Sequence, residues 1–144
     1  MSYTCLFYHV VFAVKDRQNP PEEEKMNRTR EYIAGVIRNV KAQLYVCNGP
    51  RDHIHLLVSL HPEISIMDFV RTIKTNSSKW FSETFKYKFS WQEGYSAFSV
   101  SFSGVDKVVN YIKSQQEHHR KITFEEELEQ FLQKHKIKYE RKYL

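Results

Sequence analysis

Residues 43–60, QLYVCNGPRDHIHLLVSL, lie near the middle of the chain and decide the predicted fold. They form two short runs of apolar and β-branched residues on either side of Asn48 and Gly49. Asn-Gly between two such runs is a strong signal for a β-hairpin, although Pro50 argues against a simple two-residue turn. The sequence therefore predicts two neighbouring antiparallel strands at the centre of the chain.

One helix and one strand are predicted on each side of this hairpin. On the N-terminal side, a strand over residues 3–14 is followed by a Pro-Pro break and by apolar residues at helical spacing to about residue 41. On the C-terminal side, residues 66–81 keep helical spacing, and residues 96–104, SAFSVSFSG, alternate like a strand. The order β-α-β-β-α-β predicts an α+β, ferredoxin-like split β-α-β fold with a four-stranded antiparallel sheet.

Further helices are predicted after the sheet. We expect a single domain over residues 1–144, with a core of 1–104, a helix of about 105–120, and a C-terminal helix with a basic tail over 121–144. Two helices of the core would cover one face of the sheet, and the helix of about 105–120 is expected to cover the other. A Ser-Gly pair just ahead of that helix fits either a hinge or an ordinary turn.

The composition is that of a folded, basic protein. Hydrophobic residues make up 41% of the chain and aromatic residues 15%, which argues against disorder. Lys and Arg total 22 against 17 Asp and Glu, and the resulting charge of +5 permits but does not establish binding to a polyanion. No apolar stretch approaches the ~20 residues needed to span a bilayer. Cys5 and Cys47 lie in apolar runs and are expected to be buried free thiols, which predicts a cytoplasmic protein.

Two histidines, His53 and His55, stand two residues apart in the second strand of the hairpin. Side chains i and i+2 of a strand point to the same face, so the two imidazoles would lie side by side and could bind one metal ion. A pair of partly buried, hydrogen-bonded histidines is the simpler explanation of this motif, because two histidines at this spacing are by themselves a weak signal for a metal site. Asp52 fits either a carboxylate that orients a histidine or a residue that caps the turn.

The stretch YIKSQQEHH, residues 111–119, carries a second group of polar side chains. Tyr111 and Gln115 are one helical turn apart, His118 falls near the same stripe, and His119 lies beside it. A solvated helix face would give the same pattern. A tyrosine hydroxyl has a pKa of about 10, and a cation that polarises a phosphoryl oxygen would help it attack. Two imidazoles and an amide oxygen suit Mg²⁺ or Mn²⁺ better than a closed zinc site would.

The two motifs together, DHIHLLVSLHP and YIKSQQEHH, resemble the single-tyrosine HUH transposases of the insertion-sequence 200/605-like family. The similarity extends to YHVVFAVKDR, to WQEGYSAFSVS and to the chain length. It implies that His53 and His55 are metal ligands with Gln115 as the third, and that the cofactor is Mg²⁺ or Mn²⁺. It also implies that Tyr111 is the nucleophile, which forms a 5′-phosphotyrosine with single-stranded DNA and releases a 3′-hydroxyl.

The resemblance also implies partners. Such transposases are dimers that recognise hairpins near the ends of a mobile element and cut and rejoin one strand without ATP. In many of them the tyrosine helix of one subunit completes the active site of the other, so a homodimer with composite active sites is expected here. Two alternatives stay open: a non-catalytic ferredoxin-like module that binds single-stranded DNA or RNA, and a domesticated hairpin-DNA nuclease.

A basic and aromatic segment, residues 70–91, is the predicted DNA contact. Cations interleaved with aromatic rings are typical of grooves that bind single strands, because phosphates pair with the cations and bases stack on the rings. Core aromatics beside ordinary surface lysines would look similar. The residues expected to contact DNA are Arg71, Lys74, Lys86 and Lys88. The basic tail of residues 134–142 is a second candidate.

Overall fold

A four-stranded antiparallel sheet forms the centre of the protein. The computed structural model describes residues 1–115 and 121–144. The strands are β1 (Phe7–Ala13), β2 (Ala42–Asn48), β3 (His53–Leu60) and β4 (Ser96–Val100). Their order across the sheet is β2-β3-β1-β4, and every neighbouring pair is antiparallel. This confirms the predicted α+β, ferredoxin-like arrangement.

The described residues form four α-helices. They are α1 (Glu23–Arg38), α2 (Ile66–Phe85), α3 (Val105–Lys113) and α4 (Phe124–Lys134), with short 3₁₀ turns at Phe102–Gly104 and Arg141–Tyr143. Two of the helices begin at side-chain caps, which satisfy backbone N–H groups that have no partner inside the helix. The Ser65 hydroxyl accepts from the Asp68 backbone N–H at 3.0 Å, and Thr123 forms a capping box with Glu126.

The main core lies between the sheet and the first two helices. Alternate residues of β3, among them Ile54 and Leu56, point to this face and are fully buried. They pack with Ile33 of α1 and with Phe69 and Ile73 of α2 in one apolar cluster. Because strand side chains alternate between faces, the remaining residues of β3 must point to the opposite side of the sheet.

The second face of the sheet is covered by α3 and α4 together. Phe124, Leu128 and Leu132 of α4 pack on Val11 of β1 and Phe98 of β4. Helix α3 lies against β2 and β3 instead. The helix directly after the sheet, α3, was expected to cover this face alone. It covers the β2–β3 side, and α4 covers the β1–β4 side.

Some predicted boundaries were wrong. Strand β1 begins at Phe7 rather than at residue 3, since Phe7 is the first residue with partners on both sides, Ser59 on β3 and Val100 on β4. Helix α3 ends at Lys113, and the predicted continuation of helix to about residue 120 stays a prediction. Residues 116–120 lie outside the described part of the chain.

The two cysteines differ in exposure, and both are free thiols. Cys5 is exposed, which contradicts its predicted burial, because it precedes the paired part of β1. Cys47 is half-buried. Among the described residues, no helix has the length and apolar character that crossing a membrane requires.

Candidate active site

The two histidines lie on the sheet face that α3 and α4 cover. His53 and His55 are at the start of β3, their side chains are 0% exposed, and their ring centroids are 5.1 Å apart. Ile54 between them points into the main core. The prediction that both imidazoles share one face is confirmed, and their complete burial takes both rings out of bulk water.

A buried carboxylate, Glu127 of α4, contacts all four side chains that were predicted to form the catalytic and metal-binding site. Its Oε1 lies 3.2 Å from His53 Nε2 and 3.0 Å from His55 Nε2. Its Oε2 accepts hydrogen bonds from the Tyr111 hydroxyl and, at 3.0 Å, from Gln115 Nε2. Glu127 is 1% exposed. The structure thus brings both histidines, the tyrosine and the glutamine together around one carboxylate.

The packing of α4 explains why Glu127 points inward. Phe124, Glu127 and Leu128 follow i, i+3, i+4 spacing and so lie on one side of the helix. Phe124 and Leu128 are buried against the sheet, and the Phe124 ring lies 4.6 Å from the His53 ring. Glu127 occupies an otherwise apolar stripe, and its carboxylate can be buried only because the site supplies hydrogen-bond donors.

Each histidine makes a second hydrogen bond that orients its ring. His53 Nδ1 lies 2.7 Å from Asp52 Oδ1, so its Nε2 faces the site. His55 Nδ1 lies 2.8 Å from His9 Nε2. Burial, together with the neighbouring His55, lowers the pKa of His9 to about 3, so His9 is neutral and can either donate to or accept from His55. Such outer partners commonly orient metal-binding histidines.

The charges around His53 and Tyr111 follow from burial and from Glu127. Burial alone would lower the pKa of His53, but the hydrogen bonds to Asp52 and Glu127 outweigh it and raise that pKa. Burial and the hydrogen bond to Glu127 raise the pKa of Tyr111 above its usual value. The phenol is therefore protonated and donates to Glu127. It needs a proton acceptor and a charge-stabilising partner before it can attack.

Gln115 is fully buried, although it lies beyond the end of α3. The helix ends where Asn48 of β2 donates to the carbonyl oxygens of Ile112 and Lys113, both at 3.1 Å. Gln115 Nε2 donates a hydrogen bond to Glu127 Oε2, whereas Gln115 Oε1 accepts no hydrogen bond from the described residues. Among buried side-chain nitrogen and oxygen atoms in the described ranges, this oxygen alone lacks a hydrogen-bond partner.

The group fits a divalent metal ion. One nitrogen each from His53 and His55 and a carboxylate oxygen of Glu127 lie within 4.8 Å of one another, and all three residues are buried. The amide of Gln115 contacts the same carboxylate through its Nε2, and its unpaired Oε1 is an oxygen of the kind that Mg²⁺ and Mn²⁺ prefer. The residues present therefore suit the cofactor that the resemblance implies.

Two of the predicted DNA contacts lie away from these residues. Arg71 and Lys74 are on α2, which packs on the opposite face of the sheet from the histidines. Arg71 is exposed and pairs with Asp68 at 3.2 Å. Lys74 donates to the backbone oxygens of Gln92 and Gly94, and burial lowers its pKa.

The remaining predicted residues are two lysines that follow α2 and two histidines that follow Gln115 in the sequence. Lys86 and Lys88, directly after α2, are exposed. DNA contact by these lysines and by the α2 cations stays a prediction. His118 and His119 lie outside the described residues.

Glu127 and His9 were missed by the sequence reasoning. Glu127 is the last of three consecutive glutamates at the start of a helix, a position where acids usually favour the helix dipole and face water. Its place on the apolar stripe, three residues after Phe124, was the available signal. For His9 the signal was a lone imidazole inside the apolar run FYHVVFAV.

A family model described as an IS200-like transposase matches residues 2–115. The chain belongs to the IS200-like transposase family. The match ends at Gln115, so α4 and Glu127 lie beyond the part that the family model describes.

Individual IS200-like transposases agree with this assignment. The transposase of insertion sequence element IS200 from Salmonella typhimurium is 29% identical over 117 residues, which cover 76% of each chain. The ISDra2 transposase TnpA of Deinococcus radiodurans is 26% identical over 76% of this chain and 84% of its own length. The protein is therefore a transposase of this family, and a role in DNA recombination follows.

Solved structures show the same fold. A candidate transposase from Deinococcus radiodurans superposes with a TM-score of 0.64 at 22% identity and covers 80% of this chain and 95% of its own. A REP tyrosine transposase bound to a REP hairpin superposes with a TM-score of 0.63 at 17% identity, over 83% of this chain and 74% of its own. At these identities the likeness concerns the fold.

Proposed function

We propose that this transposase cleaves and rejoins single-stranded DNA at hairpin-containing element ends through a 5′-phosphotyrosine on Tyr111. The observation that carries the proposal is the convergence of Tyr111, Gln115, His53 and His55 on one buried carboxylate. A structural histidine pair would not need a tyrosine hydroxyl beside it. Membership of the family supports the same chemistry.

The residues have separate tasks in this proposal. His53 Nε2, His55 Nε2 and the free Gln115 oxygen would hold Mg²⁺ or Mn²⁺, while Asp52 keeps the His53 ring in the required orientation. When bound, the metal would polarise the scissile phosphate and stabilise the charge that develops on it. Tyr111 Oη forms the new bond to phosphorus and gives its proton to Glu127 Oε2, which already accepts its hydrogen bond. The bond between phosphorus and the 3′-oxygen breaks, and the 3′-oxygen takes up a proton from water.

We propose a hairpin as the DNA partner. The structural neighbour bound to a REP hairpin supports this, as does the positive charge of the chain. Arg71 and Lys74 lie on α2, on the opposite face of the sheet from the histidines, and Lys86 and Lys88 follow directly after α2. We assign them to phosphates of the hairpin rather than to the strand at Tyr111, in a protein that acts in the cytoplasm on nucleoid DNA.

A homodimer is also part of the proposal, since the family resemblance implies one. A homodimer can use Tyr111 either in the active site of its own chain or in that of its partner. Within one chain, the Tyr111 hydroxyl and the Nε2 atoms of His53 and His55 contact the same Glu127 carboxylate. This geometry supports a site that a single chain can complete.

The decisive experiment is a covalent-adduct assay. Labelled single-stranded DNA from the flanks of the gene is incubated with the protein and Mn²⁺ or Mg²⁺ and separated on a denaturing gel. We expect a labelled band at the combined mass of protein and DNA. EDTA, Tyr111→Phe and His53→Ala should each remove it, because they take away the metal, the nucleophile and a ligand.

Other outcomes would support other functions. A shift on a native gel with no covalent species for any flank would reject the proposal in favour of a binding module. Cleavage of hairpin DNA without rejoining would favour a domesticated nuclease.

A further inference from the structure

We infer that Glu127 is a metal ligand of this site, contributed by α4 beyond the span that the family model matches. The inference rests on the metal site of the proposed function and deepens it. His53, His55 and Gln115 would then share the ion with a carboxylate. The site would have two nitrogen and two oxygen donors from one chain.

The distances around Glu127 Oε1 already match those between ligands of one ion. Ligand atoms about 2.1 Å from a metal and separated by angles of about 90–110° lie roughly 3.0–3.4 Å apart. Glu127 Oε1 is 3.2 Å from His53 Nε2 and 3.0 Å from His55 Nε2. A metal ion can therefore replace the shared hydrogen-bonding protons without a movement of α4.

Charge supports the same conclusion. Two carboxylates, Asp52 and Glu127, border the His53 ring, and Glu127 is 1% exposed. Burying a carboxylate is costly unless a cation or strong donors compensate it. A divalent ion between the Nε2 atoms of His53 and His55 would balance the two negative charges of Asp52 and Glu127.

The amide of Gln115 is a second and independent indication. Its NH₂ group donates to Glu127 Oε2 at 3.0 Å, which leaves the amide oxygen as the acceptor without a partner. A buried acceptor without a partner loses its hydration with no compensation. A cation bound beside Glu127 would supply that compensation.

The arrangement also links the metal to the nucleophile. Oε1 of Glu127 faces the histidines, whereas Oε2 accepts the hydrogen bond of the Tyr111 hydroxyl. The same side chain would thus hold the ion and position the phenol next to it. Because imidazoles suit Mn²⁺ better than Mg²⁺, we expect this donor set to bind Mn²⁺ more tightly.

The test measures Mn²⁺ binding to the full chain without DNA, by calorimetry or by loss of the free-ion electron paramagnetic resonance signal. Glu127→Ala should weaken Mn²⁺ binding at least about tenfold, which is the lower end of the loss seen for outer partners of metal ligands. Glu127→Gln keeps the shape and an oxygen and should lose less. Glu129→Gln, on the same helix and paired with Arg141 at the surface, is the control and should bind like the unmodified protein.

Mn²⁺ affinity that is unchanged or tighter in both Glu127 variants would overturn the inference, because the carboxylate would then only fill the site when it is empty. Circular dichroism checks that each variant is folded, and Glu127→Gln preserves the test if Glu127→Ala unfolds. The assay contains no DNA, so failure of the covalent-adduct experiment would reject the proposed function and leave this result standing.

Discussion

At the scale of single residues, hydrogen bonds to outer partners decide which ring nitrogen of each histidine faces the proposed metal site. Asp52 accepts from His53 Nδ1, and His9 lies against His55 Nδ1. The sequence left Asp52 open between a turn cap and a carboxylate that orients a histidine, and the 2.7 Å contact supports the second role. Without such a partner, the imidazole can rotate or expose the wrong tautomer to the ion.

Replacement of Asp52 should therefore weaken the metal site without unfolding the protein. We expect Asp52→Ala to lower Mn²⁺ affinity and the rate of adduct formation by about 10- to 100-fold. Asp68→Ala removes an exposed acid from α2, on the other face of the sheet, and serves as the control. Equal Mn²⁺ affinity in the Asp52 and Asp68 variants would show that Asp52 only caps the turn.

At the scale of secondary structure, β2 holds the tyrosine helix in place. The Asn48 side chain donates to the last carbonyl groups of α3, at Ile112 and Lys113. Helix ends leave such carbonyls without partners inside the helix, so a donor from another element stabilises the end and defines where it lies. Because Gln115 follows the end of α3 by two residues, the position of this helix end determines where the Gln115 amide lies relative to Glu127.

We expect Asn48→Ala to destabilise the fold by about 1–2 kcal/mol, in keeping with the loss of two hydrogen bonds. Urea unfolding measures this change. Adduct formation should fall by more than stability alone explains, because α3 carries Tyr111. Asn76→Ala, which removes an exposed hydrogen bond within α2, is the matched control. A loss of stability with full activity would show that the position of α3 does not depend on Asn48.

At the scale of the whole molecule, the sheet separates the candidate active site from two of the predicted DNA contacts. The histidines, Tyr111 and Glu127 lie on one face, and α2, which carries Arg71 and Lys74, packs on the other. If a hairpin binds near α2, the single strand attached to it must pass around the edge of the sheet to reach Tyr111 of the same subunit. Alternatively, the strand enters the active site of a second subunit. The arrangement of two subunits therefore matters for the proposed reaction.

Mixing two inactive variants distinguishes the arrangements. In a dimer with exchanged tyrosine helices, Tyr111→Phe mixed with His53→Ala would restore some adduct, because one composite site would keep both groups. The contacts of Tyr111 with Glu127 and of Asn48 with α3 within one chain favour sites completed in cis, for which the mixture stays inactive. The covalent-adduct gel measures the result, and each variant alone is the control.

The sequence by itself determined the order of the elements, the shared face of His53 and His55, and the spacing that puts Tyr111 and Gln115 one helical turn apart. These follow from local periodicity, which depends on strand and helix geometry alone. Only the tertiary structure decided which of three adjacent glutamates enters the site and where α3 ends. Those outcomes depend on how α4 packs on the sheet and on the reach of Asn48 from another strand. The apolar stripe of α4 marks Glu127 as buried but does not say which distant residues it meets, so Glu127 and His9 became functional candidates only when the folded chain brought them to the histidines.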